Sequence, residues 1–167
     1  YDYAYILAVT IEQEQTTIAL TNMKGMPEEV AVVATKTGGA PDLLLKQIAD
    51  ICREMLEKHK ECKEKIAGVS VSIAGIVDKD RGVSVHAYGI WQQEVQVCDM
   101  LRRELGYPVQ IENNVNAFAM AELMYGMGRK HDNLLIVKWG PGVGSTIIID
   151  NKVYEGRHAK AAELGHF

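Results

Sequence analysis

The sequence predicts an α/β domain with a mixed sheet flanked by helices. Three strand-like segments precede the first helical segment, and strand-like and helical segments alternate after it. The length of 167 residues suits one domain and is too short for an enzyme that closes two comparable lobes over a substrate. Because the sequence contains no repeat, low-complexity segment or linker, residues 1–167 are predicted to form a single domain.

The first three strands are predicted where apolar or alternating residues predominate, at residues 4–9, 17–20 and 30–34. A polar stretch between the first two strands indicates a hairpin. Gly38, Gly39 and Pro41 then mark the entry to a helix over residues 42–59, whose apolar residues recur at helical spacing. Three strands are therefore expected before the first helix.

The same patterns predict the rest of the chain. Further strands are expected at residues 67–73, 83–85, 109–111, 134–138 and 145–150. Further helices are expected at residues 95–105 and 117–125, and residues 113–116 are suited to cap the second of them. Asn151 and Lys152 are predicted to form a hairpin turn that leads into a last short strand.

The composition argues against a nucleic-acid surface in this segment. The chain has 18 basic and 22 acidic residues and a net charge of −4, whereas binding to a phosphate backbone requires a basic surface. Cys52, Cys62 and Cys98 form no CxxC pair and are too few for a disulfide scaffold, which favours the reducing cytoplasm. No apolar run approaches the roughly 20 residues of a membrane span. The start at Tyr1, without methionine or a basic leader, suggests a piece of a longer chain.

Asn113, Asn114 and Asn116 form an amide cluster between a predicted strand and a predicted helix. Ligands bind at such junctions in open α/β sheets. Amides both donate to and accept from hydroxyl groups, so the cluster is a candidate binding site for a polyhydroxy ligand. The alternative is that these residues only cap the helix through Asx-turn hydrogen bonds.

Gly140, Gly142 and Gly144 stand at alternate positions in a second candidate site. Glycines let a backbone approach a ligand closely and direct N–H groups at a phosphate, although Pro141 removes one donor. The alternative is a tight turn between two strands.

Glu163 and His166 form a third candidate pair near the C-terminal end of the sequence. A spacing of three places both side chains on one side if the segment is helical. One nitrogen of the imidazole of His166 could then bind a metal while the other faces a ligand. The alternative is an ordinary surface histidine.

These features resemble, in order and position, the motifs of the ROK family, which groups bacterial sugar kinases with sugar-responsive transcriptional repressors. The most specific segments are ENNVNAFAMAE at residues 112–122, WGPGVGSTIIIDNKVYEG at 139–156 and AAELGHF at 161–167, with SIAGIVD at 72–78 before them. The resemblance implies a ribonuclease H-like fold, also called the actin-like ATPase fold. It further implies that this chain is the first lobe of a two-lobed region whose second lobe and DNA-binding domain lie outside it.

The resemblance also implies a set of ligands. In the family, the END and ELGH motifs hold the sugar, and their positions here are Asn113, Asn114, Glu163 and His166. Gly75 in the preceding loop is carried over as a further sugar contact. The family's histidine in ELGH also binds a structural zinc together with downstream cysteines, so His166 is expected to bind zinc only in the full-length protein.

Asn114 departs from the kinase pattern. The kinases carry an aspartate at this position, which takes the proton from the sugar hydroxyl. An amide cannot accept that proton, and the loss of a positioned base typically costs about 10²- to 10⁴-fold in rate. Asn114 can still hydrogen-bond a hydroxyl group, so sugar binding is expected to persist without catalysis.

The kinase phosphate loop is also absent. The kinases carry DxGxT between the first two strands, whereas this chain has Thr10-Ile11-Glu12-Gln13-Glu14 and no glycine from residue 10 to residue 20. Two carboxylates and no glycine disfavour a polyphosphate, and Pro141 weakens the glycine-rich loop as well, so ATP is not expected as a cofactor. An ungapped match also places Tyr88 where the family has a sugar-contacting asparagine.

These departures favour the sugar-sensing part of a ROK transcriptional regulator over an enzyme, in the branch of N-acetylglucosamine- and xylose-type repressors. The full-length protein is then expected to bind DNA through an upstream helix-turn-helix and to form a homodimer or higher homo-oligomer. One alternative is a glucokinase-like enzyme that transfers phosphate from ATP to a hexose. Another is a family member that has lost its ligand and serves only in dimerisation.

Overall fold

A five-stranded mixed sheet is the centre of the N-terminal part of the chain in this computed structural model, which describes residues 3–140, 143–154 and 156. The chain divides after Glu112 into two units, Tyr1–Glu112 and Asn113–Phe167. The strands of the first unit are β1 Tyr5–Ile11, β2 Gln15–Asn22, β3 Pro27–Ala34, β4 Ile66–Ile73, β5 Ile76–Asp78, β6 Val83–His86 and β7 Val109–Asn113, whose last residue belongs to the second unit. Its helices are α1 Pro41–Lys58, α2 Lys60–Lys63 and α3 Val97–Leu105. The single domain over residues 1–167 stays a prediction.

The large sheet has the strand order β3-β2-β1-β4-β7. β1 pairs with β2 and β2 with β3 in antiparallel fashion, while β1 pairs with β4 in parallel. The mixed sheet, the hairpin and the three strands before the first helix are thereby confirmed. β1 extends beyond its predicted C-terminal end, and β2 beyond both predicted ends, because their pairing runs without interruption from Tyr5 opposite Asn22 to Ile11 opposite Thr16.

One face of the sheet carries the core of the first unit. Alternate residues of the central strands are buried on this face, among them Leu7, Val9, Ile18, Val71 and Ile73. The apolar stripe of α1 and the buried side of α3 belong to the same core cluster, and the two helices contact each other. Pro41 is the first residue of α1, where its missing N–H requires no partner. The period-2 pattern of the strands and the 3.6-residue pattern of α1 thus meet in one apolar layer.

Three local features of the first unit differ from the sequence-based expectation. The helix predicted from residue 95 begins at Val97, because Val95 instead exchanges two backbone hydrogen bonds with Ser84, at 2.9 and 3.0 Å. β5 and α2 were not predicted. They contain 3 and 4 residues, which is too few for a periodic pattern to indicate them.

The second unit is built from one helix and a small sheet. α4 spans Asn114–Tyr125 and is followed by a 3₁₀ turn at Met127–Lys130. β8 Leu134–Trp139, β9 Val143–Ile149 and β10 Lys152–Tyr154 form an antiparallel sheet in the order β10-β9-β8. The hairpin turn falls at Asp150 and Asn151, one residue earlier than predicted, with φ values of 52° and 61° that asparagine and aspartate tolerate best after glycine.

The three cysteines are free, buried thiols. Burial raises the pKa of Cys52 to about 12 and also raises the pKa values of Cys62 and Cys98. A buried thiol with a raised pKa is a poor nucleophile and a poor metal ligand, so these residues act as small apolar groups in the core. Among the described residues, no helix has the combined length and apolarity of a membrane span.

Replacing Ile18 tests the packing of the main core. Ile18 is fully buried on β2, and Ile18→Ala is expected to lower the free energy of unfolding by about 2–5 kcal/mol through lost transfer energy and a residual cavity. Val30→Ala on the neighbouring strand β3 is the matched control, because Val30 is half exposed and its truncation should cost under about 1 kcal/mol. Urea denaturation measures both variants, and equal midpoints would contradict the assigned core face.

Glu29 gives the edge strand a pH-dependent link to α1. Its carboxylate accepts hydrogen bonds from Lys58 Nζ at 2.7 Å and pairs with His59 Nε2 at 3.0 Å. The pKa of Glu29 lies below its ordinary value of 4.5, and the hydrogen bond from Lys58 is the main cause. A carboxyl group whose pKa is lower in the folded state stabilises the fold at pH values above its unfolded-state pKa. That stabilisation is lost as the pH falls through its folded-state pKa.

We therefore expect Glu29→Gln to be less stable than the wild-type chain at neutral pH, with the difference disappearing as the pH falls below about 4.5. The exposed neighbour Glu28, changed to glutamine, controls for the loss of a charge on β3. Urea midpoints across the pH range provide the measurement. A deficit in Glu29→Gln that persists unchanged into acid would show that the ion pair is not its cause.

Candidate functional site

Asn113 caps α4. Its backbone is extended, with φ −62° and ψ 139°, and its side-chain oxygen accepts hydrogen bonds from the N–H groups of Val115 at 2.8 Å and Asn116 at 3.2 Å. These bonds satisfy two of the four N–H groups that lack partners at a helix start. The capping interpretation of the cluster is confirmed for Asn113, and α4 begins at Asn114 rather than at the predicted residue 117.

Asn114 is the first residue of α4 and is half-buried. Its side chain makes no hydrogen bond to the residues that the structure describes. The amide is therefore available to donate to and accept from a hydroxyl group of a ligand. Because an amide carries no charge at any ordinary pH, Asn114 is a hydrogen-bonding group and not a general base.

The first turn of α4 is tied to β9. Thr146 Oγ1 donates to Asn116 Oδ1 at 2.7 Å. A β-carbon added at Gly144 would lie 2.6 Å from Cγ2 of Val115, which is closer than real β-carbons approach other atoms. Gly144 is thus required for packing against α4, a role that its place in a glycine-rich motif did not reveal. Its role in a phosphate loop stays a prediction.

Several predicted site residues lie outside the described part of the chain. Gly140 is exposed directly after β8, whereas Pro141 and Gly142 are not among the described residues. Glu163 and His166 are likewise outside them, so their sugar contacts and the zinc ligand stay predictions. Within the described ranges, no group of three histidine, cysteine, aspartate or glutamate side chains is placed to hold a metal ion.

The β1–β2 turn is a hairpin closed by backbone hydrogen bonds. The N–H of Glu12 donates to the carbonyl of Gln15 at 3.0 Å, and the carbonyl of Glu14 accepts from the N–H of Thr35 at 3.0 Å. Behind it, the hydroxyl groups of Thr16 and Thr35 form a buried hydrogen bond of 2.8 Å. The N–H of Glu12 is consumed within the hairpin, so it cannot bind a phosphate without breaking that bond.

Gly75 lies in the first unit, against His86 at the end of β6 and Ala87 directly after it. Its φ of +111° is accessible only to glycine without strain. A β-carbon there would overlap the carbonyl oxygen of His86 and lie 2.9 Å from Cα of Ala87. The glycine is therefore needed for this close approach of two loops, and its contact to a sugar stays a prediction.

Two contacts near these loops could not be predicted from the sequence. A β-carbon at Gly89 would lie 2.5 Å from Cδ of Gln13, so the β1–β2 hairpin packs directly on the turn after β6. Lys79 Nζ lies 3.2 Å from Oε2 of Glu112, the residue before the asparagine cluster. Both contacts join residues that are more than 30 positions apart, and neither belongs to a local pattern that would have indicated it.

Comparisons of the sequence with known proteins agree on one family. The sequence pattern of the ROK family matches residues 6–167. A xylose repressor from Caldicellulosiruptor bescii is 28% identical over 165 residues, which cover 99% of this chain and 41% of that protein. A glucokinase from Halalkalibacterium halodurans is 31% identical over 129 residues, covering 77% of this chain and 38% of that protein. The chain spans about two fifths of the length of these relatives.

Solved structures share the fold. A ROK family transcriptional regulator, a homologue of the E. coli MLC protein, superposes with a TM-score of 0.88 at 21% identity and covers 99% of this chain and 41% of its own. A ROK family glucokinase from Streptomyces griseus, in complex with glucose and AMPPNP, superposes with a TM-score of 0.79 at 28% identity and covers 98% of this chain and 50% of its own.

The cap at Asn113 can be tested by substitution. Asn113→Ala is expected to destabilise α4 by about 1 kcal/mol, because two backbone N–H groups lose their acceptor. Asn113→Asp retains the acceptor and adds a negative charge at the helix start, so it should retain the cap. Amide hydrogen exchange of residues 115 and 116 reports the difference. Equal protection in the alanine and aspartate variants would refute the capping role.

Proposed function

The chain belongs to the ROK family, and we propose that it is the sugar-sensing part of a cytoplasmic ROK transcriptional regulator that does not phosphorylate its ligand. The observation that carries this proposal is Asn114. Its uncharged amide occupies the position of the kinase base and makes no side-chain hydrogen bond to the described residues. At this position the site can therefore bind a hydroxyl group but cannot remove its proton.

The β1–β2 hairpin supports the same conclusion. A kinase must hold a polyphosphate with backbone N–H groups and a magnesium ion, and a glycine lets the backbone come close enough. This hairpin has no glycine, uses the N–H of Glu12 internally and adds the carboxylates of Glu12 and Glu14. We therefore propose that both the base and the phosphate loop of a kinase are replaced in this chain.

The proposed sugar ligands are Asn113, Asn114, Glu163 and His166, with Gly75 as a backbone contact. Amide, carboxylate and imidazole groups together supply donors and acceptors for several hydroxyl groups, which is the chemistry that a polyhydroxy ligand requires. In the full-length protein, His166 would also bind a structural zinc. The cap already uses the side-chain oxygen of Asn113 as a hydrogen-bond acceptor. The amide of Asn114 can therefore reorient towards a ligand more readily than that of Asn113.

Regulation requires that the sugar bind one conformation better than another. The full-length protein would then shift its population towards that conformation and alter DNA binding through an N-terminal helix-turn-helix, as a homodimer or higher homo-oligomer. A relative named xylose repressor that aligns with 99% of this chain supports this branch of the family.

A glucokinase-like sugar kinase is the alternative. It is supported by the glucokinase relative at 31% identity and by the fold shared with the Streptomyces griseus glucokinase. Asn114 and the closed hairpin argue against it. A family member that has lost its ligand and serves only in dimerisation would bind no sugar at all.

Calorimetry on the full-length protein tests sugar binding directly, with xylose, glucose, N-acetylglucosamine and their phosphates as ligands. We expect one of these ligands to bind, and we expect Asn114→Ala to weaken its affinity roughly 10- to 100-fold through a lost buried hydrogen bond. Gln110→Ala removes an exposed amide from β7 and should leave the affinity unchanged. Repression without binding of any of these sugars would contradict the sensing role.

A further inference from the structure

An exposed aromatic ring stands at the apex of a well-anchored turn in the first unit. The turn comprises residues 86–91 and is called the Tyr88 turn below. Its base is fixed because Ala87, Ile90 and Trp91 are buried, and the indole N–H of Trp91 donates to Ser84 Oγ at 3.0 Å. Tyr88 at the apex is 40% exposed.

The ring of Tyr88 has a supported orientation. Its centroid lies 4.7 Å from that of His86, with 59° between the ring planes, which is a favourable tilted arrangement. The N–H of Ala87 donates to the carbonyl of Trp91 at 3.0 Å, and the N–H of Trp91 donates back to Ala87 at 3.1 Å, so the turn is closed across its base. An aromatic ring held in this way loses little conformational entropy when a ligand covers it.

The Tyr88 turn also contacts both loops discussed above. The loop at Gly75 lies against the backbone of His86 and Ala87, and Gln13 of the β1–β2 hairpin lies against Gly89. The apex is thus held from two sides. A ligand that reaches the backbone at Gly75 therefore comes close to the Tyr88 turn.

The charges around the turn disfavour an anionic ligand. Glu12 and Glu14 flank Gln13 in the hairpin. Lys79 and Arg81, which precede the turn in the sequence, have carboxylate partners, since Lys79 pairs with Glu112 and Arg81 with Glu94. A phosphate or carboxylate beside this hairpin would be repelled by the carboxylates of Glu12 and Glu14.

We infer that Tyr88 is a specificity-determining residue for the effector, with its ring stacking on the C–H face of a neutral pyranose. This inference rests on the proposed sugar-sensing function. It adds an apolar ring face to the amide, carboxylate and imidazole groups proposed above as sugar ligands. The effector class is therefore a neutral sugar rather than a sugar phosphate.

The test uses calorimetry of the full-length protein with xylose, glucose and glucose 6-phosphate. Tyr88→Leu should weaken binding of the neutral effector roughly tenfold through loss of the stacked ring, whereas Tyr88→Phe should keep the affinity within about twofold. Tyr3→Leu, which removes a ring that is 90% exposed, is the control and should change nothing. Glucose 6-phosphate should bind more weakly than glucose.

A second measurement does not depend on the folding of the leucine variant. Nuclear Overhauser effects from the sugar C–H protons to labelled tyrosine rings should appear in the wild-type protein and vanish in Tyr88→Phe. Three results would each overturn this inference alone. They are full affinity in a folded Tyr88→Leu variant, unchanged Overhauser effects between sugar and tyrosine rings in Tyr88→Phe, and tighter binding of glucose 6-phosphate than of glucose. Absence of binding of any sugar by the wild-type protein would overturn the sensing function and this inference with it.

Discussion

The hydrogen bonds from Val115 and Asn116 to the side chain of Asn113 determine where β7 ends and α4 begins. From this cap, Asn114 becomes the first helical residue, and Asn116 is placed to accept from Thr146. Gly144 then allows β9 to approach Val115. The geometry of Asn114 and Asn116 at the start of α4 thus depends on a single side-chain oxygen and its two donors.

Under the proposed function, the same arrangement would let a kinase-like fold lose catalysis and keep recognition. Amide and carboxylate side chains are nearly the same size, so Asn114 preserves the shape of the position while removing its basicity. At residues 12–15, the hairpin backbone closes on itself and the side chains of Glu12 and Glu14 carry negative charge, which under the proposed function would disfavour a polyphosphate. Neither change requires a different sheet, which explains why regulators and kinases of the family share one fold.

Much of this architecture was predictable from the sequence because it depends on local patterns. The stripe of α1, the alternation of β1 and β2 and the capping chemistry of Asn113 all act within a few residues. The exchange of hydrogen bonds between Ser84 and Val95, and the contacts from Gln13 to Gly89 and from Lys79 to Glu112, join distant residues and appear only once the sheet is assembled. Gly144 shows a further limit, since a glycine in a phosphate-loop motif here makes room for a valine.

The central claim is that this protein senses a sugar without phosphorylating it, and the direct measurement is phosphoryl transfer by the full-length protein. A coupled assay with ATP, magnesium and each of a panel of hexoses and pentoses should show no turnover above the background rate. Turnover with any sugar that disappears in Asn114→Ala would contradict the account, because it would show that this position still supports catalysis.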